Sequence, residues 1–178
     1  MLLGKLLKST KKRCREIPIK GISFDSRKVK KRDIFFAIDG NHTSGVKFIN
    51  EAISRGASVV VSNKKIKNRK NIPFLFVRDV RMSLSEACSN FYKKKPKNII
   101  AVTGTNGKSS VAYFFYQILN FNKISAASIG TLGIFSKNYC KKTNLTSMDP
   151  LSLHKNLQIL ARKKINNVIL EASSHGLS

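Results

Sequence analysis

The sequence predicts an α/β protein in two parts. A small mixed α/β amino-terminal domain covers 1–93, and 98–178 form the first part of a larger parallel-sheet domain. Three observations carry this. Short apolar runs rich in Ile, Val and Phe alternate with amphipathic segments of helical period along the chain. The charged, proline-interrupted run KKKPK (93–97) divides it. Beyond that run the order is strand, helix, strand, helix, strand, as in a parallel sheet.

In order, ISF (22–24) and DIFFAI (33–38) are expected as strands separated by a polar turn. GVKFINEAISRGA reads as a short helix with Phe48, Ile49, Ala52 and Ile53 on one side, closed by Gly56. SVVVS and FLFV read as buried strands. In RMSLSEACSNFYKK, Ser83 and Glu86 have capping-box spacing, and Leu84, Ala87, Cys88 and Phe91 form an apolar stripe. NIIAV is the next strand, and GKSSVAYFFYQILN a helix expected to bury Val111, Phe114, Phe115 and Ile118. ISAASIG is a second strand, and 131–148 reads as irregular. Asp149 and Pro150 supply an N-cap and a first-turn proline for LSLHKNLQILARKK, which should bury Leu153, Leu157 and Leu160. His154 on that helix reads as structural. NVILEASS is the third strand, expected to leave an unpaired edge. The chain shows no internal repeat.

The 178 residues carry 34 lysines and arginines against 9 acidic residues, a net charge of +25. The basic residues are scattered, as in KKRCR, KKIKNRK, YKKKPK and ARKK, without interleaved aromatics. That is compositional bias suited to anionic ligands, and no nucleic acid is expected as a partner. No apolar run approaches a membrane span, and MLLGKLLKSTKKRC is a poor signal peptide, so a cytoplasmic monomer with no membrane partner is expected. Cys14, Cys88 and Cys140 lack metal-ligand spacing and read as reduced thiols.

The most informative stretch is IIAVTGTNGKSSVAYFF (99–115). An apolar strand passes through a glycine turn into Gly-Lys-Ser at the head of an amphipathic helix. The glycines allow a tight turn whose N–H groups point at phosphate oxygens, and the helix adds its positive end. Thr103, Gly104, Thr105, Asn106, Gly107, Lys108, Ser109 and Ser110 are the candidate ATP-phosphate residues. Lys108 would neutralise the terminal phosphates, and Ser109 would offer its hydroxyl to magnesium. The general pattern needs glycine where Val102 stands, so the loop is of another lineage. Glu171 ends the buried strand NVIL, where ligand crevices of open parallel sheets lie, and is a candidate for the same cation. The plainer alternatives are a strand–helix turn with an exposed lysine and a glutamate that merely ends a strand.

GTNGKS resembles the phosphate loop of the Mur ligases and folylpolyglutamate synthetases. FDSRKVKKRDIFFAIDGNHTSGVKFINEAISRGASVVV resembles the Mur ligase amino-terminal domain, with its D-S-R, D-[IL]-F-[FV]-A and G-x-x-x-[DS]-G elements. NLTSMDPLSLH and LEASSHGLS resemble the substrate-gripping segment and the E-[VA]-S-S-H-[GA]-L signature of the Mur ligases that add the third peptide residue. The resemblance spans about 22–178 and implies a uridine-nucleotide domain over 1–93 and an incomplete P-loop ATPase domain over 98–178.

The reaction implied is ATP- and Mg2+-dependent addition of meso-diaminopimelate or L-lysine to UDP-MurNAc-L-Ala-D-Glu through an acyl phosphate. It implies uridine-nucleotide contacts at Phe24, Ser26, Asn41, His42 and Thr43, and muramoyl-dipeptide contacts at Asn144, Thr146, Ser147 and Ser173. It also implies catalytic roles for Lys108 and Glu171, and metal binding by Ser109, Glu171 and His175. At 146–148 the chain has T-S-M where the family often has T-T-P or T-T-G. Family members are much longer, so this chain is expected to be inactive alone. The alternatives are a folylpolyglutamate synthetase-like ligase and a non-enzymatic basic nucleic-acid-binding module.

Overall fold

A computed structural model describes residues 1–8, 10–40, 43–66, 72–142 and 148–172. They form two compact units, Met1–Phe91 and Tyr92–Ser178.

The first unit begins with α1 (Leu3–Leu6), whose Leu3 and Leu6, with Leu7, are fully buried. Three of the four leucines of MLLGKLL are therefore core residues. They are tied down by Leu3 N–H donating to Ile17 O at 2.9 Å and the Met1 amine to Ile19 O at 2.7 Å. Next come β1 (Gly21–Ser23), β2 (Asp33–Phe36), α2 (Ile49–Ser54), β3 (Val59–Ser62), β4 (Phe74–Phe76) and α3 (Val80–Phe91). The four strands pair in sequential order, all parallel, with Ile34 beside Val59 and Val60 beside Phe74. In β2 every residue is buried, as expected of a parallel strand covered on both faces. Phe35 and Ala37 meet Ile49, Ala52 and Val60 in one core cluster.

Three expectations here are corrected. Phe48 lies in a 3₁₀ turn, Gly45–Phe48, ahead of α2, and is 42% exposed rather than part of the buried side. The strand β4 stands at the sheet edge, and its Phe76 is 55% exposed. The capping box does not form, because α3 starts earlier. The Asp79 carboxylate accepts from Met82 N–H at 2.9 Å, Ser83 Oγ donates back to Asp79 O at 2.8 Å, and Glu86 accepts from Lys8 N–H at 3.2 Å.

The second unit contains β5 (Asn98–Val102), α4 (Lys108–Phe121), β6 (Ala126–Gly130), β7 (Gly133–Ser136), α5 (Pro150–Arg162) and β8 (Asn167–Glu171). Its sheet order is β5-β8-β6-β7. The strand expected at the edge, β8, is instead central, parallel to both β5 and β6. Its near-continuous apolar run suits burial on both sides, whereas β5 is the open parallel edge with Ile99 and Ile100 about 40% exposed. The segment read as irregular contributes β7, which folds back antiparallel on β6 through the turn at Thr131 and Leu132.

Helix α4 turns a different face to the sheet from the one expected. Ala112 is fully buried, while Val111, Phe114 and Ile118 are 51–61% exposed and Phe115 is half-buried. The helix is apolar nearly all round, so period alone selects no face, and the small side chain permits the closest approach to β6 and β8. Helix α5 forms as its signals predict, with the Asp149 carboxylate accepting from Ser152 N–H at 2.9 Å and Pro150 at its first position. Leu157 and Leu160 join Ala127, Ile129 and Val168 in the core, with Leu153 and Met148 half-buried beside them.

Candidate nucleotide-phosphate site

The loop between β5 and α4 ends at Gly107, whose φ of 78° is the left-handed conformation that opens the helix. A Cβ there would meet no atom within 4 Å, so glycine is required by the backbone angle rather than by space. The first hydrogen bond into α4 runs from Val111 N–H to Gly107 O at 2.9 Å, so the N–H groups of Lys108, Ser109 and Ser110 are not used inside the helix. They border a cavity of about 320 Å³ lined by loop residues 105–110, Thr131 and Glu171.

Within it the polar groups pair with one another. Lys108 Nζ donates to Gly104 O at 2.5 Å and Thr105 O at 3.1 Å. Ser109 Oγ donates to Glu171 Oε2 at 2.9 Å, joining the helix start to the end of β8. Thr131 donates twice to the same carboxylate, from its N–H to Oε1 at 3.1 Å and from Oγ1 to Oε2 at 3.0 Å. Glu171 is only 5% exposed. A buried carboxylate with two hydroxyls beside it is an oxygen-only donor set, which fits magnesium held by one or two protein ligands with phosphate and water completing it. No cluster of three or more His, Cys, Asp or Glu suited to a metal occurs among the described residues. Thr103 and Gly104 belong to the loop but do not line the cavity.

Sequence reasoning missed Thr131 because 131–148 read as irregular. The available signal was its place directly after a strand, at the same sheet end as Glu171.

In the first unit, Phe24 is 37% exposed just beyond β1. Ser26 is buried, and its Oγ donates to Glu51 Oε2 at 2.6 Å, fastening the D-S-R turn to α2. Asp25 caps that turn, accepting from Arg27 N–H at 3.1 Å and forming an ion pair with the Arg27 guanidinium at 3.0 Å. The Arg27 bond holds the Asp25 carboxyl below the usual range. Thr43 is exposed, and its carbonyl accepts from Gly40 N–H at 2.9 Å. Asn41, His42, Asn144, Thr146, Ser147, Ser173 and His175 lie outside the described residues. A second cavity, about 250 Å³, sits beyond the carboxyl ends of β2, β3 and β4, bordered by Asp39, Asn63, Arg78 and Arg81.

A glycine-rich loop joining a parallel strand to a helix, with a carboxylate on the neighbouring strand, defines the phosphate-loop class of α/β proteins. Within that class the chain belongs to the Mur ligase family. Residues 18–101 match the model described as Mur ligase family, catalytic domain, and residues 102–178 match the Mur ligase middle domain. The chain is 44% identical over 161 residues to the UDP-N-acetylmuramoyl-L-alanyl-D-glutamate--2,6-diaminopimelate ligase of Rhizobium meliloti (strain 1021), covering 90% of this chain and 33% of that protein. It is 45% identical over 166 residues to the ligase of the same name from Rickettsia montanensis, covering 89% and 34%. The chain thus spans about a third of the length of these curated relatives.

A solved structure of a UDP-N-acetylmuramoyl-L-alanyl-D-glutamate--2,6-diaminopimelate ligase superposes with a TM-score of 0.85 at 28% identity, covering 99% of this chain and 37% of that one. The MurF ligase from Thermotoga maritima in complex with ADP shares the fold, with a TM-score of 0.60 at 22% identity over 87% of this chain and 32% of that one. Among the described residues no helix is long and apolar enough to cross a membrane.

Proposed function

We propose that the chain carries the uridine-nucleotide and ATP-phosphate parts of a ligase joining meso-diaminopimelate to UDP-MurNAc-L-Ala-D-Glu at the expense of ATP. One observation carries the reading. Lys108, Ser109 and Glu171 converge on one cavity in a chain 44% identical, across both units, to a ligase named for that reaction.

Chemically, the terminal carboxylate of the dipeptide attacks the γ-phosphorus of ATP, forming an acyl phosphate and releasing ADP. The amine of the diamino acid then attacks the acyl carbon, forming the amide and releasing phosphate. Lys108 gives up its two carbonyl partners for phosphate oxygens, and the free N–H groups of the first helical turn hold the same oxygens. Ser109 and Glu171 would hold magnesium, which supplies charge neutralisation at the transferred phosphoryl group. Phe24 offers a flat apolar surface for the uracil, with Ser26, Asn41, His42 and Thr43 as its polar partners. Asn144, Thr146, Ser147 and Ser173 take the muramoyl-dipeptide, and His175 is a further metal-binding residue.

Calorimetry on the 178-residue chain tests the reading. UDP-MurNAc-L-Ala-D-Glu and MgATP should each bind, the second roughly 10- to 100-fold more weakly once Lys108 is replaced by alanine. A folded sample that binds neither ligand overturns it.

A further inference from the structure

We infer that Gly130 and Thr131, at the end of β6, form a seat that fixes the Glu171 carboxylate toward a magnesium ion at the phosphate loop, making Thr131 a positioning residue for cation binding. This rests on the phosphate-loop reading above. Strands β6 and β8 are parallel neighbours with Ile129 beside Leu170, so Gly130 lies beside Glu171. A Cβ on Gly130 would come within 2.6 Å of Glu171 Cγ and would overlap the carboxyl group itself. The glutamate side chain therefore lies across the bare glycine backbone.

Thr131 then takes both carboxylate oxygens, its N–H on Oε1 at 3.1 Å and its hydroxyl on Oε2 at 3.0 Å. Two bonds to two different oxygens define the plane of the carboxylate, whereas the single Ser109 bond, at 2.9 Å to Oε2, leaves it free to turn. Oε1 accepts the Thr131 N–H and keeps a lone pair for a cation, while Ser109 can donate to Oε2 with its own lone pairs facing the same ion. The seat thus holds a 5%-exposed anion in place before any ligand arrives. Groups that orient a metal ligand without touching the metal commonly change metal affinity by roughly 10- to 100-fold.

The test is MgATP binding to the 178-residue chain by calorimetry, repeated across free magnesium concentrations and in EDTA. Thr131→Val, which keeps the N–H and removes the hydroxyl, should raise the magnesium needed for half-maximal binding roughly tenfold. Its affinity for metal-free ATP should stay unchanged. Thr131→Ser should restore the wild-type magnesium requirement, and Gly130→Ala should reproduce the valine defect. In a Glu171→Gln background Thr131→Val should add nothing. A magnesium requirement unmoved by Thr131→Val, or moved equally in the Glu171→Gln background, overturns the positioning role while leaving the phosphate loop standing. Equal loss of ATP affinity with and without magnesium also overturns it, since that marks general damage to the loop. Wild-type chain that binds no ATP under any condition overturns the phosphate-loop reading and the inference with it.

Discussion

Among the described residues Lys108 reaches only the carbonyls of its own loop, so removing its ammonium should leave the rest of the unit undisturbed. Lys108→Ala should lower ATP affinity roughly 10- to 100-fold, the scale of one or two charge-assisted hydrogen bonds. Uridine-nucleotide binding, assigned to the first unit, should be unaffected, and paired calorimetric titrations check both halves. Glu171→Gln keeps the side-chain shape but removes the charge. It should raise the magnesium requirement at least tenfold, read from ATP binding across a magnesium series. An unchanged series would mean that Glu171 only closes a strand. Lys108, Ser109 and Glu171 were legible in the sequence because a glycine turn and a strand end are local signals. Thr131 was not, since its meaning depends on β6 and β8 being neighbours, and 40 residues of chain separate Thr131 from Glu171.

Helix α5 shows how an element inherits a pH dependence from one side chain. His154 Nδ1 is buried with no hydrogen-bond partner among the described residues. Burial first, and the charge of Lys95 second, push its pKa below the ordinary value. The unfolded chain protonates this histidine near pH 6.5, so below that the unfolded state binds more protons than the folded one. Stability should therefore fall as pH drops from about 6.5 towards the lowered folded-state pKa. Chemical denaturation across that window should show the slope, and His154→Phe should flatten it.

In α4 the exposed Phe114 contributes little, so Phe114→Ser should change stability by no more than about 0.5 kcal/mol. The fully buried Ala112 has no room to grow, and Ala112→Leu should cost about 1–3 kcal/mol in the same denaturation assay. Capping made the start of α5 readable, because Asp149 and Pro150 act within one turn. The face of α4 was unreadable, because its apolar residues encircle the helix and the sheet chooses among them.

At the scale of the whole molecule, the chain passes from one compact unit to the other just before the lysine-rich segment YKKKPK, whose Lys93, Lys94, Lys95 and Lys97 are exposed. Brief trypsin treatment should cut there first, sparing the Lys95–Pro96 bond, and mass spectrometry should return two fragments that resist further digestion. The charge of +25 makes generic anion binding a necessary control, so nucleotide titrations belong at several salt concentrations. Specific binding at the loop should persist at 0.5 M salt, at which non-specific attraction to a basic surface is screened to within roughly one water layer.

The central position of β8 bears on how the second unit assembles. Among the described residues strand β5, which launches the phosphate loop, has β8 as its only strand partner, although α4, β6, β7 and α5 all come between them in the chain. On a ribosome β5 would emerge early and wait, its backbone unpaired and Ile99 and Ile100 open to other chains, until the residues up to Glu171 had followed. Closing so long a loop slows the search for the native pairing far more than it weakens the final sheet. The strand that carries Glu171 to the cavity is thus also the one whose arrival locks the loop's own foundation, so the cavity takes shape only once β8 has paired with β5.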